Sequence, residues 1–176
     1  MVFTTNASEA MRIDAAGNVG IGGITTVNQT LAVKVGSDII VGVWGDNSAG
    51  YGAIQSANVA NNAYKQLRFD ASSYHFNLGN VGIGVVPEAW YSTSGSKALQ
   101  VGNLASIFSN SGNNSVDFAC NFYQDSVGDK YLVNDYATRI HSDGGQFAFD
   151  VAPSGTADAA ISWTTAMTID NAAQVF

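Results

Sequence analysis

Few residues of this chain can do acid–base or nucleophilic work: twelve aspartates, Glu9 and Glu88, His75 and His141, and Cys120. Glycoside cleavage needs two carboxyl groups at a set separation. Asp125 with Asp129 and Asp143 with Asp150 are the candidate pairs, and they would make the chain a polysaccharide depolymerase. Turn formation is the competing role, because an aspartate accepts hydrogen bonds from its own following backbone. His141-Ser142-Asp143 holds the residue types of a nucleophilic triad, but adjacency in sequence does not bring such residues together. His75 and His141 lie in alternating segments. Three copies of an inward histidine on a threefold axis would ring a metal ion, yet no His-x-His pair reinforces that arrangement. Residues 125–129 lack the spacing of a calcium loop. Cys120 stands alone, which excludes an intrachain disulfide and a thiolate cluster; its alternating setting reads as packed strand. Asn6-Ala7-Ser8, Asn28-Gln29-Thr30 and Asn113-Asn114-Ser115 fit the N-glycosylation pattern, as chance allows in an Asn-rich chain. The expectation is a protein that is not an enzyme and carries no cofactor or metal.

Aromatic rings beside amides offer a different chemistry. Trp44, Tyr51, Trp90, Tyr91, Tyr123, Tyr131 and Tyr136 lie in or next to polar loops. A ring flanked by Asn and Asp can stack on a sugar face while the amides bond its hydroxyls. Trp90, Tyr91, Tyr123 and Tyr136 form the candidate glycan-binding set. The competing role is anchorage within a core or between chains.

Composition narrows the partners. Charged residues make up 12% of the 176, about half the ~25% usual for soluble domains. The net charge is −7 and the pI about 4.4, with only seven scattered basic residues. Nucleic acid and anionic membrane surfaces are therefore disfavoured. No apolar run approaches the ~18–20 residues of a membrane span, and Met1-Val2-Phe3-Thr4-Thr5-Asn6 does not open a signal peptide. Hydrophobic content of 46% is enough for a packed core.

The elements that position these residues are strands. Residues 31–35, 38–44, 66–70, 74–78, 98–101, 105–108, 116–123, 130–133, 138–141, 146–149 and 159–169 alternate or run apolar, with Gly, Asn, Asp and Ser between them. Helical periodicity is nearly absent; Pro87-Glu88-Ala89-Trp90 suits one short turn. The strands carry a repeat. Met11-Arg12-Ile13-Asp14-Ala15-Ala16-Gly17-Asn18-Val19-Gly20-Ile21-Gly22 is a complete copy. Leu67-Arg68-Phe69-Asp70 and Gly79-Asn80-Val81-Gly82-Ile83-Gly84 form a split copy. Met167-Thr168-Ile169-Asp170-Asn171-Ala172-Ala173 opens a third, which stops at Val175-Phe176. Each predicts a strand, a polar turn and a second strand with glycine at alternate positions.

Two modules follow, 1–86 and 87–176, and they look related: Leu31-Ala32-Val33 follows the first Gly-Asn-Val-Gly-Ile-Gly as Leu99-Gln100-Val101 follows the second. Residues 3–6 before Met11 also echo 163–166 before Met167, so the chain begins and ends at one phase of its repeat. It is either a segment of a longer fibre or a unit whose end continues into the next copy. Bare glycine lets another backbone approach, so Gly20, Ile21, Gly22, Gly82, Ile83 and Gly84 are the candidate inter-chain packing residues. Intertwining would also hide sheet edges that invite aggregation. The alternative is a monomeric sandwich with glycine bulges.

The Arg12-to-Gly22 phrase, the 87–102 block with Pro87-Glu88-Ala89-Trp90 and Lys97-Ala98-Leu99-Gln100-Val101-Gly102, and residues 152–170 resemble repeats of bacteriophage tail fibres and related virion appendages. The resemblance implies an all-β, elongated, glycine-rich fibre, an intertwined homotrimer of β-prism or β-helix kind. It also implies a structural role on a virion or outside the cell, and contact with a host-surface glycan. A non-viral extracellular filament or adhesin subunit that joins head to tail is the alternative.

Overall fold

The computed structural model describes residues 1–5, 8–24, 27, 29–35, 37–46, 50–76, 79–92 and 95–176. It divides into two compact units, Met1–Ser73 and Tyr74–Phe176. That division falls upstream of the boundary expected near residue 86, because the second Val-Gly-Ile strand pairs forward in sequence. The protein is all-β, built of open sheets that mix parallel and antiparallel pairs, with no helix among the described residues.

In the N-terminal unit six strands lie side by side in chain order: β1 (Val2–Thr5), β2 (Ser8–Ile13), β3 (Val19–Ile21), β4 (Leu31–Lys34), β5 (Ile40–Asp46) and β6 (Tyr51–Ala57). Asp14 makes the β2–β3 turn. Its Oδ1 accepts the backbone N–H groups of Ala16 and Asn18, both at 2.9 Å, and Gly17 supplies the left-handed residue at φ 86°. The Asn18 N–H and amide, more than any charge, hold the Asp14 carboxyl below the usual aspartate value. β3 and β4 are parallel, so the chain must cross over between them. Ile24 and Val27 of that crossover are buried against Ala32, Ile40 and Ala57, and this small cluster is the unit's core.

The C-terminal unit holds β7 (Val81–Ile83), β8 (Lys97–Val101), β9 (Ala105–Asn110), β10 (Ser115–Cys120), β11 (Tyr123–Gln124), β12 (Asp129–Lys130), β13 (Asp135–Asp143), β14 (Gln146–Gly155) and β15 (Thr164–Ile169). Seven of these form one sheet in the order β15-β14-β13-β10-β9-β8-β7, while β11 and β12 pair separately. Trp90, Ala98, Phe108, Phe122 and Tyr123 are buried together, and Tyr131, Ala137 and Ala152 form a second cluster sharing Ile161 and Trp163. Both clusters cover one side of the sheet.

The two units repeat each other in register. Val19, Gly20 and Ile21 pair in parallel with Leu31, Ala32 and Val33; Val81, Gly82 and Ile83 pair in parallel with Leu99, Gln100 and Val101. Antiparallel pairing then continues with Leu31 opposite Val43 and Val43 opposite Ile54, as Leu99 is opposite Ile107 and Ile107 opposite Phe118. The sequence echo after each Gly-Asn-Val-Gly-Ile-Gly is thus one structural unit used twice.

The third phrase also folds as a hairpin. Asp170 Oδ1 accepts from Ala172 and Gln174 N–H at 2.9 and 2.8 Å, as Asp14 does from Ala16 and Asn18. Ile169 bridges Val175, and Thr168 and Phe176 exchange backbone bonds at 3.0 Å, so the last residues do have strand neighbours. Phe3 faces Met11 and Phe149 faces Met167, each followed by a bulge. Phe3 therefore corresponds to Phe149, and the echo between residues 3–6 and 163–166 is displaced. Ala173, at φ 61°, stands where Gly17 stands in the first hairpin. An L-residue there is strained. Ala173→Gly should raise stability of the C-terminal unit by about 0.5–1 kcal/mol in urea denaturation, and a loss would speak against the hairpin.

Two expected strands do not form, and of the one expected over 130–133 only Lys130 is in a strand. Residues 66–70 and the described part of 74–78 have no strand partner and are mostly exposed, despite their alternation. The split second phrase consequently makes no β2-like strand, and β7 lies at the edge of its sheet. Pro87 to Trp90 makes a tight turn, the Trp90 N–H meeting the Glu88 carbonyl at 2.8 Å.

Candidate functional site

Strand alternation sends one set of side chains toward the core and the other outward, and in this protein much of the outward set is apolar. Cross-strand partners share a face. Following the register across the C-terminal sheet gives Val81, Leu99, Ile107, Phe118, Ile140, Phe149 and Met167, one from each of the seven strands. The row beside it starts with Ile83 and Val101 and reaches Val151. Phe118 is 53% exposed, and Val101, Ile107 and Val151 are exposed as well. A groove of about 380 Å³ runs among Phe118, Ile140, Phe149 and Val151. The N-terminal sheet has the same kind of face: Ile13, Val19, Leu31, Val43 and Ile54 form one row, Phe3, Met11, Ile21, Val33 and Val41 the next.

The six repeat residues expected at chain contacts separate into three environments. Ile21 and Ile83 lie on the open faces, Ile83 with 55% of its surface accessible. Gly20 and Gly82 point the other way, toward the chain's own crossovers. A Cβ on Gly20 would lie 2.7 Å from Val27 Cγ2; one on Gly82 would collide with the Val85 carbonyl oxygen and Pro87. The close approach that glycine permits at these two positions is made within one chain. Gly22 and Gly84, at φ 90° and 69°, turn the chain out of the strand.

The aromatic candidates are likewise divided. Trp90 is only 4% exposed and packs against Phe108 at 5.2 Å and Phe122 at 5.8 Å, with its indole N–H on Gln100 Oε1. Tyr123 is buried and donates its hydroxyl to Asp158 at 2.8 Å. Burial, then that carboxylate, pushes its phenol up. Neither ring can meet a sugar; both are core. Tyr136 is exposed, and half-buried Tyr91 lines a cleft of about 270 Å³ with Asn110, Gln124 and Asp125.

Three of the four candidate catalytic carboxylates, Asp125, Asp129 and Asp150, are committed to structure. Asp125 Oδ1 accepts from the Val127 and Gly128 N–H groups, which hold its carboxyl low. Asp129 accepts from Trp163 Nε1 at 2.7 Å, Gln124 Nε2 at 2.7 Å and Arg139 at 3.1 Å. Asp150 accepts from Arg139 Nε at 2.8 Å and the Thr165 hydroxyl at 2.7 Å. Asp117, which no sequence motif marks, completes the group: it lies 3.3 Å from Arg139 and 2.8 Å from His141 Nδ1. Burial, the largest influence, raises its carboxyl pKa despite the His141 bond and the Arg139 charge. Cross-strand register brings this cluster together, since His141 is opposite Asp117 and Arg139 opposite Asp150. His141 is therefore committed to the covered face, and His75 is exposed outside any strand. Cys120 is exposed at the end of β10, so its side chain is not packed. Among the described residues no group of three or more His, Cys, Asp and Glu side chains is placed to hold a metal. Of the glycosylation patterns, Asn6 and Asn28 lie outside the described residues, and Asn113 sits in the exposed β9–β10 turn.

A further cleft, of about 330 Å³, opens in the N-terminal unit between Trp44, Gln55, Ala57 and the loop bearing Asn61, Asn62, Ala63 and Tyr64. Asn58 organises that loop: its Oδ1 accepts from the Asn62 and Ala63 N–H groups and its Nδ2 donates to Asn62 Oδ1. Trp44 appeared in the sequence only as a ring near polar residues; the amides that meet it come from elements the sequence did not pair with it.

No family model, curated protein or solved structure matches this chain.

Proposed function

We propose that this protein is a structural module of a virion fibre of the tail-fibre type, assembling as a homotrimer whose sheets turn their apolar faces inward. The observation that carries the reading is the uninterrupted row from Val81 to Met167, seven apolar residues on seven strands, with Ile107, Phe118 and Ile140 at its middle exposed. A soluble monomer rarely leaves so large a contiguous apolar patch in water. A second copy is the natural cover. It offers the same rows at the same spacing, and closed point-group assembly satisfies every copy at once. Low charge over the whole chain fits surfaces that meet other copies. The tail-fibre assignment itself rests on the repeat phrases and on their use as one structural unit in both halves. No catalytic role enters the proposal: Asp125 serves a turn, and Asp129 and Asp150 belong to the Arg139 cluster.

Light scattering of the native protein tests the assembly. The parent chain should have three times its 18.3 kDa mass. Phe118→Asp with Ile140→Asp should give monomer, because two carboxylates would then have to be buried in an apolar contact. A parent that is monomeric at all concentrations, or a double variant that still forms trimers, overturns the reading.

A further inference from the structure

We propose that the Trp44 cleft of the N-terminal unit binds a neutral sugar residue of a glycan. The inference deepens the fibre reading by giving it a ligand, and the cleft is complete within one chain. The argument starts from shape. At about 330 Å³ the cleft falls at the small end of ligand pockets, which span roughly 300–1,000 Å³. That suits one or two sugar rings better than a folded partner.

The lining chemistry is that of a saccharide site. Trp44 and Tyr64 supply aromatic surface, and Tyr64 is 82% exposed. The indole is braced by Tyr51, whose ring meets it edge-on at 5.6 Å. Its N–H is fixed on Gln55 Oε1 at 3.1 Å, and Gln55 Nε2 in turn donates to Asn61 Oδ1 at 2.6 Å. The amides are thereby oriented before any ligand arrives. Asn61 Nδ2 has no partner among the described residues, and Asn62 uses its Oδ1 on Asn58, leaving its own Nδ2 as a donor. The Asn58 bonds and the Ala57–Tyr64 bridge hold the loop, with Asn61 in the left-handed region at φ 55°. Preorganised donors reduce the ordering cost of binding.

Charge narrows the ligand. No Lys, Arg, Asp, Glu or His lines the cleft, and the chain carries −7 overall. Phosphorylated, sulfated and sialylated ligands would be drawn in by nothing and repelled by the whole chain. Hydroxyl and N-acetyl groups of a neutral sugar match the free amide N–H groups and the remaining lone pair of Gln55.

The test is a printed array of neutral, sialylated and sulfated oligosaccharides probed with the full chain. Retention on neutral glycans is expected. Asn62→Ala and Tyr64→Ala, both at exposed positions, should each lower it about fivefold, the worth of one lost contact of this kind. Native mass should not change in either variant, nor melting temperature in Tyr64→Ala, whose bridge to Ala57 is made by backbone. No retention on neutral glycans, retention confined to acidic ones, or variants that bind as the parent does would overturn the site. The same samples separate the two claims. Trimers that retain no neutral glycan sink the site and leave the fibre, whereas monomers that bind through Asn62 and Tyr64 sink the fibre and leave the site.

Discussion

Arg139→Met should remove about 3–5 kcal/mol from the stability of the C-terminal unit at neutral pH. Among the described residues the guanidinium is the one group that meets Asp117, Asp129 and Asp150 together, at 3.3, 3.1 and 2.8 Å, and the side chains of Asp117 and Asp150 are each only 4% exposed. It also lies 4.5 Å over the Trp163 ring. Methionine would fill much of the volume and leave three carboxylates facing one another with little water. Breaking a buried ion group by removing one side is the costly case, because the stranded charges stay desolvated. The pH dependence has a fixed sign. Burial already raises the Asp117 pKa above its ordinary 3.8, so its contribution to stability is full below that value and declines as pH rises through the raised one. Losing Arg139, whose charge opposes that rise, enlarges the trend at Asp117. The variant should therefore recover part of its deficit toward about pH 4, where carboxylates protonate. Arg139→Lys, which keeps charge but not the forked donors, should lose less. Urea denaturation at the two pH values measures both effects. A loss under about 1 kcal/mol, or a deficit that grows on acidification, would mean that Arg139 does not hold this cluster together.

The second large effect is expected at Gly82. An added methyl would meet the Val85 carbonyl oxygen and come within 2.8 Å of Pro87 Cδ. Neither neighbour is the end of a flexible side chain, so the crossover must move as a piece. Gly82→Ala should cost about 3 kcal/mol, the upper end of ordinary overpacking, and Gly82→Val more. The loss should appear in the unfolding of the single chain. Ile83→Asp, one residue on, should do the reverse: the side chain faces outward, so the monomer folds and assembly fails. Denaturation under dissociating conditions, paired with native mass, distinguishes the two positions. A Gly82→Ala chain as stable as the parent but unable to assemble would restore a contact between chains at that glycine.

Much of the architecture was legible in residue patterns. The all-β class, the hairpin headed by Asp14 and the kinship of the two halves all follow from short-range signals: alternation, turn chemistry and a repeated phrase. What lay beyond reach depends on neighbours. Residues 66–70 alternate as cleanly as β10 does, but a strand needs a partner edge, and the insertion in the split phrase leaves them without one. The direction in which Gly20 and Gly82 present their bare sides was set by the parallel crossover, which no single strand specifies. Trp90 stands beside polar residues in sequence yet lies under the sheet, because Gln100 reaches it from β8. Asp117, Arg139 and Asp150 are on three strands, and Asp129 comes from a fourth, so their meeting is a fact of register. Period-two alternation marks two faces without saying which is covered, and both outward faces here are apolar enough to have been mistaken for core.

Strand order bears on how such a chain is made. In each sheet the strands lie in the order of synthesis, with only the β11–β12 hairpin passed over. Each strand except the first in its sheet can dock on one already in place, and apart from the two crossovers and the β10–β13 excursion the loops to be closed are short. Contacts this local favour rapid folding, and they let the sheets form progressively as the chain leaves the ribosome. In the trimer proposed above, the cover over the apolar faces cannot form progressively, because it requires copies to meet. Secondary structure is then a first-order event and burial of the outward rows a concentration-dependent one. On that proposal the newly made chain would spend the interval between them as a finished sheet with a greasy side, and the supply of further copies would set how long that interval lasts.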